Sequence, residues 1–120
     1  LLTLAHRYLD LVLGHEVIEN ISVLIAMPKI DHGVHSSFFE FGPYALAKAL
    51  GQYLARVPHF EISEPENAAE QFLAMVRGNE QIRVLLGLPL GRAAAKSGAY
   101  VESCVDAFVR GYARDVGAKI

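Results

Sequence analysis

The chain has 120 residues, enough for one domain with its own core. Apolar residues make up 52% and charged residues 20%, which excludes a disordered chain and is high enough in apolar content to suggest surface covered by a ligand or a second copy. A net charge of −2 without any block of like charges excludes the basic face of a nucleic-acid binder, and the single cysteine excludes an internal disulfide.

The opening LLTLAHRYLD has neither the basic start nor the cleavage site of a secretory signal, and no apolar run approaches the ~18 residues of a membrane span. A cytoplasmic protein without membrane contact is therefore expected. Leu1, Leu4, Ala5, Tyr8, Leu11 and Val12 follow i, i+3, i+4, i+7 spacing, which predicts a helix ended by Gly14. This helix begins with no capping residue before it, so the chain reads as cut from something longer. A second helix is predicted from about His15 to Met27, with Val17, Ile21, Leu24 and Ile25 as its stripe and Pro28 as its stop.

A third helix, from about Asp31, carries Val34, Phe38, Phe39 and Phe41 and is interrupted by Gly42-Pro43. Proline suits the first position of a helix, so a fourth helix is predicted to start at Pro43, after a kink or a short break. Its stripe is Leu46, Leu50, Tyr53 and Leu54. The run SEPE from Ser63 reads as a capping box, opening a helix that continues to about Gly87. Residues 88–96 read as a loop. The last helix is predicted to start near Ser97 and to end by Gly117, with a stripe of Val101, Cys104, Val105, Phe108, Val109 and Tyr112. The expected fold is an all-α bundle of about five to six helices.

The helix after Ser63 has an apolar arc of roughly 200°, about twice the ~100° stripe of a surface helix. Ala68, Ala69, Phe72, Leu73, Met75, Val76, Ile82, Val84 and Leu86 contribute to it. Such width calls for a second partner: another copy of the chain or a place in the middle of a monomeric bundle. Gly78 and Gly111 are poor helix formers that permit close approach of another helix. Asn79 and Arg83 lie inside the arc, where a charge needs a partner across a seam, a ligand, or a path to solvent.

No catalytic constellation stands out. Ser36, Ser37 and Ser103 lack a nucleophile-elbow context, the glycines form no phosphate-binding loop, and Cys104 falls in an apolar stripe where a thiol is usually packing. His32 and His35 share an i, i+3 spacing that suits a metal, yet no carboxylate is clearly placed to complete a site, and surface histidines are the simpler reading. No metal and no cofactor is expected. The positive signal is aromatic: Phe38, Phe39, Phe41 and Tyr44 flank the helix interruption, where packing is looser and cavities collect. Phe38, Phe39 and Tyr44, with Met27, Phe72 and Met75, are candidates for an apolar ligand pocket, and Tyr8, His35, Tyr44 and Tyr53 can supply its polar groups. The competing reading is that these side chains are simply core.

The runs FFEFGPYALAKALGQYL, PENAAEQFLAMVRGNEQIRVLLG and VESCVDAFVRGYA together resemble the C-terminal domain of TetR-type transcriptional repressors, in particular the AefR-like branch. The resemblance implies a non-enzymatic homodimer built on a four-helix bundle from the last two long helices of each subunit. Gly78, Asn79, Ile82, Arg83 and Leu86 from one helix would form the seam with Val101, Cys104, Val105, Phe108 and Tyr112 from the other. It also implies a pocket for a small, often apolar effector, and operator DNA bound only through an N-terminal helix-turn-helix. The effector relieves DNA binding by preferring the DNA-incompetent arrangement, a population shift. Two alternatives remain: a structural dimerisation module with no pocket, and a small all-α enzyme assisted by a metal at His32 and His35.

Overall fold

The computed structural model describes residues 1–29, 33–92 and 94–114. These form α1 (Leu2–Leu13), α2 (His15–Ala26), α3 (Gly33–Phe39), a π-helical turn (Glu40–Tyr44), α4 (Ala45–Leu54), α5 (Pro65–Arg77), α6 (Glu80–Leu85) and α7 (Ala94–Tyr112). The fold is all-α. Among the described residues the only β pairing is an isolated bridge between Phe60 and Ala113.

Four helices carry the core. α1 buries Ala5, Tyr8, Leu9 and Val12, at helical spacing. α4 adds Ala47, Leu50 and Leu54, and α5 adds Ala68, Ala69, Phe72, Leu73 and Val76. From α7 come Val101, Cys104 and Phe108. Phe108 is the aromatic centre: its ring lies 4.9 Å from both Phe72 and Tyr112 and 5.8 Å from Phe60. Burying each such ring stabilises the fold by about 1.5–3 kcal/mol. The end of α7 is strapped to the segment after α4, with Glu61 N–H donating to the Tyr112 carbonyl and Arg114 N–H to the His59 carbonyl, both at 2.8 Å.

α4 and α5 meet backbone to backbone. Gly51 is buried, and a Cβ there would lie 3.1 Å from main-chain atoms of Pro65 and Glu66. Ala47, Ala68 and Ala69 keep the two helices close, because small residues bring helix axes together. By contrast, α2 and α3 bury no residue at all. They form an outer arm tied together by His35, whose Nε2 donates to the Leu24 carbonyl at 2.8 Å.

Four sequence expectations are corrected. Gly42-Pro43 neither breaks the chain nor starts a helix: the π-helical turn carries α3 into α4. A π turn already departs from the i→i−4 ladder, so the absent proline N–H is accommodated there. The capping box does not form; Glu64 occupies the cap position of α5 with no side-chain cap, and Pro65 opens the helix. The long helix predicted to reach Gly87 is cut at Gly78, whose φ of 53° is accessible to glycine at little cost. That break leaves the Met75 carbonyl to the Tyr100 hydroxyl and, at 3.4 Å, the Cys104 thiol. Burial foremost, and then Cys104 beside it, push the Tyr100 hydroxyl above its usual pKa. α7 starts at Ala94 rather than Ser97, because alanines form helix readily and extend it into the expected loop. It ends at Tyr112, within the expected limit of Gly117; Asp31 and His32 lie outside the described residues.

Candidate functional site

A cavity of about 840 Å³ opens between α1, α5 and the outer arm. It falls within the range of ~300–1,000 Å³ typical of small-molecule sites. α1 contributes Tyr8, Leu11 and Val12, and α2 contributes Val17 and Ile21. Phe38, Phe39, Phe41 and Tyr44 line it from α3 and the π-helical turn, with Phe39 and Tyr44 in tilted contact at 6.2 Å. The wider π turn thus places its aromatics on the cavity. Phe39 is 56% and Phe41 81% exposed, apolar surface left for a guest to cover.

The opposite wall comes from α5. Glu70, Leu73, Ala74 and Arg77 follow i, i+3, i+4, i+7 spacing and form one face of that helix, beside the face that enters the core. Gln81 of α6 joins them, its side-chain amide donating to the Val12 carbonyl at 3.1 Å. Tyr8 and Arg77 are neighbours. Burial raises the Tyr8 hydroxyl pKa, and the charge and hydrogen bond of Arg77 oppose that rise. The hydroxyl therefore stays protonated at neutral pH.

Of the nine residues expected to line a pocket, Tyr8, Phe38, Phe39 and Tyr44 are brought together here. The other five are corrected. Met27 lines a separate, shallower groove of about 770 Å³ on the arm, with Asn20, Val23, Leu24 and Val34, and Phe38 borders both. His35 is spent on the arm's internal hydrogen bond, and its Nδ1 is buried with no partner among the described residues. Tyr53 is 54% exposed, about 100° around α4 from the buried Leu54. Phe72 points the other way, into the core against Phe108, and Met75 packs half-buried on that core.

Sequence reasoning missed Val17, Ile21, Leu73, Ala74, Arg77 and Gln81. The i, i+3, i+4, i+7 series from Glu70 to Arg77 was the available signal. It was hidden because two of its four members are charged.

The expected seam residues divide in two. Val101, Cys104 and Phe108 are turned into the protomer's own core, 0%, 3% and 2% exposed, so their side chains are not available to a partner. Val105 and Tyr112 pack half-buried beside them, and the Tyr112 hydroxyl bonds Gln71. Gly78 faces the Tyr100 hydroxyl of its own chain. Arg83 pairs within its own chain with Glu80, at 3.7 Å, and not at the cavity floor. Glu80 is 4% exposed and also holds the Gly91 N–H at 3.0 Å and Arg92 at 3.7 Å, while Arg92 lies 3.5 Å over the Tyr100 ring. Asn79, Ile82 and Leu86 remain outward, and Leu88, Leu90 and Val109 are further exposed apolar side chains.

Among the described residues no group of three potential metal ligands occurs, and no helix is long and apolar enough to cross a membrane.

The chain is thus an all-α domain with an apolar cavity walled by its own helices. The family model for the AefR-like transcriptional repressor C-terminal domain matches residues 1–114, and the chain belongs to that family. No match was found among curated proteins or among solved structures. Membership gives the chain the role of a TetR-type regulator domain, associated with effector binding and dimerisation and typically non-enzymatic.

Proposed function

We propose that this chain is the effector-sensing and dimerisation domain of a DNA-binding transcriptional repressor acting in the cytoplasm. A small apolar or aromatic ligand enters the cavity and relieves DNA binding, operator DNA being met through a helix-turn-helix domain N-terminal to this one. The observation that carries this reading is the cavity of about 840 Å³ with aromatic side chains on its wall, in a chain of the AefR-like family. The exposed apolar side chains Ile82 and Leu86 support the dimer, since they widen the apolar surface that a single copy leaves uncovered.

A thermal-shift screen with apolar and aromatic small molecules tests the ligand. A ligand at a hundred times its Kd stabilises the folded state by about 2.7 kcal/mol, which raises the melting temperature. Ala74→Trp, on the cavity wall, fills the space and is expected to abolish that rise while the chain stays folded. A rise that persists in this variant places the ligand elsewhere.

A further inference from the structure

We infer that the cavity is built for an anionic amphiphile, a carboxylic acid with an apolar body, whose carboxylate is held by Arg77 and Tyr8. This rests on reading the cavity as the effector site. Among the described residues that line it, Arg77 is the one cation and Glu70 the one anion. The two do not neutralise each other: they are seven residues apart on α5, about 10.5 Å along its axis. No carboxylate among the described residues forms an ion pair with Arg77; the ion pairs there are His15–Glu19, Arg83–Glu80, Arg92–Glu80 and Arg110–Asp106. A half-buried guanidinium in an apolar wall is thus left with a phenol as its neighbour.

The phenol does not satisfy it. Tyr8 and Arg77 line the same cavity, near enough for the Arg77 charge to act on the phenol, and no acceptor among the described residues bonds the Tyr8 proton. The pair therefore turns donors to the cavity: a guanidinium fork and an O–H. A carboxylate presents only acceptors and matches a guanidinium with two parallel bonds. An amine meets repulsion at this end of the cavity, and an alcohol or amide meets only part of the donor set. Glu70 disfavours the reverse orientation by repelling a carboxylate at its end. Leu11, Val17, Ile21 and Phe39 leave an oily lining for the body of the acid.

The test is calorimetric titration of the purified chain with decanoate and 4-butylbenzoate, each beside its primary amide. The acid is expected to bind at least about tenfold tighter than its amide, the scale of a charge-assisted hydrogen bond. Arg77→Gln is expected to shrink that ratio below about twofold while leaving the amide's affinity in place, and Arg77→Lys to keep part of it. If Arg77→Gln does not fold, the acid-to-amide ratio on the unaltered chain decides. Amides binding as tightly as acids overturn the anionic ligand and leave the cavity reading standing. If none of the four compounds binds, or if Ala74→Trp binds them undiminished, the cavity reading itself fails.

Discussion

The two walls of the cavity are made differently. The α5 wall is one side of a helix whose other side is the core: Phe72 and Val76 are fully buried, one or two residues from Leu73, Ala74 and Arg77. The arm wall belongs to helices without a buried residue, and it leaves Val23 and Ile25 about 60% exposed, at 60% and 62%. Burial of apolar area is what holds a helix in place, so the α5 wall is fixed by folding and the arm is held weakly. A site with one firm and one loose wall can position a head group and still admit bodies of different shape.

Substitutions can break or sharpen that contrast. The largest effect is expected at Phe108, the ring that joins α5 to α7. Phe108→Ala should cost about 3–5 kcal/mol in urea denaturation, and Phe108→Glu should not fold. Were Phe108 in the dimer seam that the resemblance implies, a glutamate there would split the dimer; its burial in the protomer changes that outcome. Next comes Gly51→Ala, which forces a methyl against the main chain of α5 and should cost about 1–3 kcal/mol. A loss no larger than that of a surface change would mean that the α4–α5 contact yields. On α6 and its C-cap, Ile82→Glu combined with Leu86→Glu should shift protomer stability by about 0.5 kcal/mol or less per residue while halving the mass seen by light scattering. An unchanged mass removes α6 from the dimer seam. The smallest effect is expected on the arm: Ile25→Ser should stay within about 0.5 kcal/mol. A loss of several kcal/mol there would erase the distinction between the walls.

Much of this architecture was legible in the residues, and the exceptions have physical causes. α1 and α2 were readable because an unbroken 3.6-residue period ends at plain stops, Gly14 and Pro28. The Gly42-Pro43 step was read as an interruption because proline removes a donor. The chain instead widens its turn and stays helical, an outcome that local propensity does not encode. Gly78 hid a true break because the apolar pattern resumes at Ile82, so periodicity bridged a point where the backbone turns. The aromatic half of the site was visible as Phe38, Phe39 and Tyr44. Arg77 was not, because a basic residue in the last turn of a helix is also what the helix dipole favours. Only the fold places it opposite those rings and beside Tyr8.

The main-chain contact at Gly51 has a consequence for how the domain can evolve. With α4 and α5 pressed together, volume cannot be gained on that side without loosening the whole molecule. Changes in guest preference are therefore expected to accumulate in 15–29 and 33–39, where no side chain is locked into the core, while the seam around Gly51 is expected to keep its small residues.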